Sequence, residues 1–215
     1  MKIDSILSHI STGVLFINVI LYLIGFKKNN LAYKVFFLYL IISLILQVIS
    51  TSYALRGLPN HFLSTYFFIF RYILLTFFFY ELLKKFQKRL LHKYLQWSSI
   101  ITVFTISAQY IIQPNLYYSF NSIGFLITSI LLVSYALIYL YFTLSITESH
   151  LYIILGMLVY LISSSLIFIT ASDIISLNNQ LNYYIWLINV ILYLGYQLLI
   201  SYQWTVQFYR KKTLH

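Results

Sequence analysis

Apolar residues along this chain fall into runs separated by short polar segments. Each run is close to the ~20 residues that a helix needs to cross a bilayer. Seven such runs occur, at 6–26, 31–53, 62–83, 97–112, 123–146, 151–170 and 184–204. The two prolines, Pro59 and Pro114, both lie between runs, so no run carries an internal helix breaker. The pattern predicts an all-α, polytopic transmembrane helical bundle of seven largely unbroken spans, with residues 1–215 as one membrane domain. The fourth run is the shortest. Uninterrupted spans, and the lack of an internal repeat, argue against transporter designs built on repeated halves and discontinuous helices around a midplane site.

The first run is too long for a secretory signal, follows Asp4, and lacks a small-x-small cleavage site. It reads as a retained span. Cations outside the runs set the orientation. Lys27, Lys28, Lys34, Lys84, Lys85, Lys88, Arg89, Lys93, Arg210, Lys211 and Lys212 fall on one side, and only Lys2 and Arg56 on the other. This asymmetry predicts the N-terminus outside and the C-terminus in the cytoplasm.

Composition reinforces the membrane reading. The chain is 61% apolar and 8% charged, whereas a soluble domain carries about a quarter charged residues. The net charge of +10 would suggest nucleic acid in a soluble protein. Here the cations sit between apolar runs as topology determinants, so no nucleic-acid partner is expected. The 22 Tyr and 18 Phe occur alongside abundant Ile, Asn and Lys, a compositional bias rather than an aromatic ligand site. With no cysteine, thiolate metal sites and disulfides are excluded.

One charge interrupts the runs. Arg71 lies near the middle of the third, in Tyr66-Phe67-Phe68-Ile69-Phe70-Arg71-Tyr72-Ile73. An arginine at the bilayer centre costs at least ~2.5–3.5 kcal/mol on insertion scales, so it should face the protein interior and be partnered. The carboxylates are Asp4, Glu81, Glu148 and Asp173. Glu81 is about 15 Å along the same helix, and Glu148 is predicted to be cytoplasmic. Asp4 and Asp173 are predicted near the outer face, toward which an arginine can snorkel.

Two expectations follow for Arg71. It is held internally by Asp173, Asp4, carbonyls or side-chain amides, or it forms the cationic floor of an outward-facing pocket for an anionic or carbonyl ligand. Other spans supply polar groups that could line such an interior. Tyr39, Ser43, Gln47 and Ser50 share a face of the second. Gly156 and Ser163 to Ser165 lie in the sixth, Asn189, Gln197 and Gln203 in the seventh, and His9, Ser11 and Asn18 in the first. Helix packing accounts for each stripe taken alone. The candidate ligand-binding set is Arg71, Gln47, Ser43, Ser163, Asn189 and Asp173.

The stretch from Lys84 to Tyr94 is amphipathic at helical spacing, with Lys84, Lys85, Lys88, Arg89, His92 and Lys93 as its cations. It predicts a helix on the inner leaflet, attracted to anionic lipids or to an acidic partner. Catalytic patterns are missing. The five histidines have no H-x-x-x-H or H-E-x-x-H spacing, and neither a nucleophile elbow nor a P-loop occurs. The seventh run has no lysine for a retinal Schiff base. No cofactor is expected.

Three stretches resemble a group of small, uncharacterised bacterial seven-span proteins. They are Tyr66 to Tyr72 running on to Phe79-Tyr80-Glu81-Leu82-Leu83, Tyr152 to Tyr160, and Ile185 to Asn189 through Tyr193-Leu194-Gly195-Tyr196. The resemblance implies a multi-pass protein of the bacterial inner membrane and no established activity. The functional expectation is a non-enzymatic sensor, or a subunit docking on other membrane proteins. The alternative is a small-solute, anion-selective transporter or channel using Arg71.

Overall fold

The computed structural model describes the backbone of residues 3–118, 121–143, 150–174 and 179–213, and the side chains of 6–60, 62–118, 121–143, 150–167 and 183–207. Among these residues all regular structure is helical. Seven α-helices follow one another: α1 (Ile3–Gly25), α2 (Leu31–Leu55), α3 (His61–Leu83), α4 (Arg89–Ile112), α5 (Ser122–Thr143), α6 (Leu151–Ile174) and α7 (Asn179–Thr213). Two 3-10 turns, Lys84–Phe86 and Pro114–Tyr117, lie on either side of α4.

Six of the helices are long and apolar enough to cross a membrane. The described side chains of α6, Leu151–Ile167, form a shorter apolar stretch. This is the make-up of a membrane protein.

The predicted runs and the helices agree in order and differ at their ends. α4 starts at Arg89 rather than Trp97, and α7 runs for 35 residues, from Asn179 to Thr213. At 1.5 Å per residue α7 is about 52 Å long, well beyond a ~30 Å hydrocarbon core. Hydropathy locates where lipid ends. Backbone hydrogen bonding continues through polar residues with good helix propensity, such as those from Arg89 to Gln96. The expected end of the fifth run at Ile146, and Glu148 beyond it, lie outside the described residues.

A second difference concerns Lys84 to Tyr94, which is not one surface helix. After Lys84–Phe86 the chain turns through Gln87 in the left-handed region (φ 50°), and α4 begins beyond Lys88. The amphipathic period was real, but its two halves belong to different elements.

The chain forms two compact units, one of Met1–Lys27 with Leu140–His215 and one of Lys28–Tyr139. In the first, α6 and α7 pack antiparallel. Gly156 makes this possible, since a Cβ there would come within 2.9 Å of a Leu199 methyl and 3.1 Å of the Tyr196 ring. Tyr160 stacks on Tyr196 at 5.7 Å, and Tyr152 meets Tyr202 edge-on at 4.7 Å. The Gln203 side chain accepts a bond from the Tyr152 backbone N–H at 2.9 Å, so α7 caps the first turn of α6. α1 joins α7 through buried amides. Asn18 Nδ2 donates to the Gln197 carbonyl and to its Oε1, both at 2.9 Å, while Ser201 Oγ donates to Asn18 Oδ1 at 2.7 Å.

The second unit is an up-and-down arrangement of α2 to α5. Asn30 caps α2, its side chain accepting from Tyr33 N–H at 3.0 Å. Phe36 meets Phe78 at 5.2 Å and Tyr53 meets Phe62 at 5.6 Å, which fixes the antiparallel register of α2 on α3. α4 presents Leu95, Thr102 and Ile106 to the unit's interior. Asn121 links α5 to α4, donating to Gln109 Oε1 at 3.1 Å while its own Oδ1 accepts from Gly124 N–H at 2.8 Å.

Candidate functional site

Arg71 stands ten residues after the start of α3, about 15 Å along the helix. It shares the inward face with Phe68, Tyr72 and Leu75, all at or below 1% exposure, and is itself 2% exposed. That face meets α5. Phe125 and Ser129 are one turn apart on α5 and therefore project together. The guanidinium carbon lies 4.4 Å from the Phe125 ring centre and 5.9 Å from that of Phe67, one turn back on α3. Nη2 donates to Ser129 Oγ at 2.9 Å.

Magnitudes show what this arrangement can do. A desolvated cation–π contact contributes about 2 kcal/mol, and a hydrogen bond from a charged donor about 1.5–3 kcal/mol. Together they offset the ~2.5–3.5 kcal/mol insertion cost of a mid-membrane arginine.

Of the carboxylates considered as partners, Glu81 lies 3.8 Å from Lys84 Nζ, one turn below it. The side chains of Asp4 and Asp173 lie outside the described residues. Ser129 and Phe125 were not among the sequence candidates. The signal was present, since Thr128 and Ser129 are an adjacent hydroxyl pair in a largely apolar run. Nothing in one sequence, however, says which face of α5 turns toward α3.

The remaining candidates separate into two groups. The register of α2 on α3 puts Ser43, buried at 3%, level with Arg71, and Gln47 level with Phe67. The register of α6 on α7 puts Ser163 level with Asn189, in the other unit. Asp173 follows on α6, beyond the described side chains. The sequence set thus resolves into Ser43, Gln47 and Arg71 in one unit and Ser163, Asn189 and Asp173 in the other.

Below Arg71, hydroxyls connect three helices. Tyr135 OH lies 2.6 Å from Ser98 Oγ and 3.4 Å from Tyr72 OH, and Tyr94 OH lies 3.2 Å from Ser134 Oγ. At this end of the unit the cations gather. Lys84, Lys85, Lys88, Arg89 and Lys93 are all exposed. Lys85 Nζ sits 4.9 Å from the Phe86 ring and 5.6 Å from that of Tyr139. The register of α2 on α3 brings Lys34 level with Tyr80, so it belongs to the same end. At the opposite end, where α2 meets α3, stands Arg56. Within residues 28–139 Glu81 is the single carboxylate.

No family model, curated protein or solved structure matches the chain. Function is therefore argued from these residues alone.

Proposed function

We propose that the chain is a seven-span, multi-pass protein of the bacterial inner membrane, with its N-terminus outside, that acts without catalysis as a sensor or as a subunit docking on other membrane proteins. The observation that carries this reading is the contrast between its charges. Arg71 is absorbed into the packing of α3 on α5, while five cations at the α3–α4 turn stand exposed, with Glu81 the one carboxylate of residues 28–139. A buried charge clamped by rings suits a scaffold. An exposed cationic end suits a surface that meets something acidic. The cation asymmetry supports placing that end in the cytoplasm.

The test is photo-crosslinking in native membranes from probes at Lys88 and Lys93. Discrete, reproducible adducts with a second membrane protein are expected. A chain that yields none and purifies from those membranes as a stable monomer would sink the docking role.

The second reading, an anion transporter or channel, draws on the depth and burial of Arg71, with Ser43 and Gln47 at its level. In that case Arg71→Lys would keep the charge and retain part of the uptake, while Arg71→Ala would abolish it. Unchanged uptake in Arg71→Ala excludes the role.

A further inference from the structure

The turn between α3 and α4 is divided into two tiers that the sequence period had merged. The first tier, at the turn, is cationic and lies at the end of the unit away from Arg71. Arg89 and Lys93 lie one turn apart on one flank of α4, with Lys84, Lys85 and Lys88 beside them on the turn. The second tier is apolar and outward-facing. Leu90, at the level of the cations, and Trp97 and Ile101, beyond them, follow at helical spacing on the face of α4 opposite its buried Leu95, Thr102 and Ile106, and Leu90 is 83% exposed. The Arg89–Lys93 row runs alongside the Leu90 end of this apolar strip.

We infer that this face of α4 is a docking site for one anionic diacyl phospholipid. Its phosphate would lie against Arg89 and Lys93, and an acyl chain along Leu90, Trp97 and Ile101. Charge complementarity carries the choice of occupant. Among residues 28–139 the five exposed cations stand with a single carboxylate, Glu81, itself 3.8 Å from Lys84. The polar-then-apolar order matches a phospholipid rather than a free anion, because a free phosphate gains nothing from Leu90 or Trp97. An acidic soluble segment would likewise gain nothing from the apolar strip. Juxtamembrane cations attract anionic headgroups, and Trp97, one turn beyond Lys93 on α4, is of the residue type that favours the interfacial region. The inference rests on the membrane reading and not on the docking role proposed above. The purified chain tests it in the absence of any partner protein.

The experiment is native mass spectrometry of the full chain in detergent with equimolar phosphatidylglycerol and phosphatidylcholine, paired with thermal unfolding in each lipid. One phosphatidylglycerol adduct should survive activation that strips phosphatidylcholine, and phosphatidylglycerol should raise Tm. Arg89→Gln with Lys93→Gln should lower retention about 10-fold or more, on the scale of one headgroup attraction per cation. The charge-conserving pair Arg89→Lys with Lys93→Arg should bind as the parent does, which separates lost charge from lost folding. Leu90→Ser should weaken the diacyl lipid about 3-fold, reflecting one lost apolar contact. Equal retention of the two lipids overturns the proposal. So does parental binding in the Gln pair, or a soluble glycerol phosphate that raises Tm as much as the lipid does.

Discussion

The two units solve the same problem with different chemistry. Each buries polar groups where lipid offers no hydrogen-bonding partner. In the unit of α1, α6 and α7 the ties are neutral amides and hydroxyls. Asn18, Gln197 and Ser201 join α1 to α7, and Gln203 caps α6. In the unit of α2 to α5 they are a full charge and aromatic hydroxyls, with Arg71 between Phe125, Phe67 and Ser129, and Tyr72, Ser98 and Tyr135 below. Neutral ties are worth roughly 0.6 kcal/mol each in membrane proteins, rarely above ~1.7. A charge raises both the cost of burial and the strength of each contact that compensates it. The charged unit should therefore depend on one residue, and the neutral unit on many.

Thermal unfolding of purified variants in a mild detergent tests this difference. The largest effect should come from Arg71→Ala, which removes the cation from two rings and a hydroxyl and leaves a gap, at about 3 kcal/mol. Arg71→Lys should recover only part of that loss, since an ammonium lacks the planar fork that can stack and donate together. A loss below that of any neutral-tie variant would remove the claim that unit 28–139 hinges on its charge.

Gly156→Val comes next. Its branched side chain must displace Leu199 and Tyr196, and overpacking of this kind costs about 1–3 kcal/mol. Unchanged Tm would show that α6 and α7 are free to part there. A smaller loss, about 1–1.5 kcal/mol, is expected for Asn18→Leu, which takes the donor from Gln197 and the acceptor from Ser201 together.

The smallest effect should belong to Gln197→Leu, at less than ~0.6 kcal/mol. Asn18 keeps the Gln197 backbone carbonyl as acceptor, and the substitution also removes Gln197 Nε2, a buried donor with no partner among the described residues. Two substitutions in one hydrogen bond should thus differ, with Asn18→Leu the costlier. Equal losses would mean that the side-chain bond, rather than the bond to the backbone, holds α1 on α7.

Residue type and spacing by themselves were enough for the number and order of the helices and for the place of Arg71 near the middle of α3. Each of these is a position along the chain, and hydropathy reports such positions directly. The same signal misplaced the start of α4 by eight residues, because lipid contact and helical hydrogen bonding end at different points. It also joined Lys84 to Tyr94 into one helix, because the amphipathic period persists across the left-handed turn at Gln87.

Partners could not be read the same way. Asn18 and Gln197 each stood out as a polar residue in an apolar run, yet only packing made them a pair. Arg71 was legible as a charge needing a counterpart, and among the described residues Ser129 and the Phe125 face on α5 meet it. Which helix stands beside which, and how far each is rotated about its own axis, are relations in the membrane plane. The apolar run of one helix is much like another's, so hydropathy cannot rank the possible neighbours. Close approach at Gly156 and the ring contacts of Phe36 with Phe78 did rank them, through shape that exists only once the helices have packed.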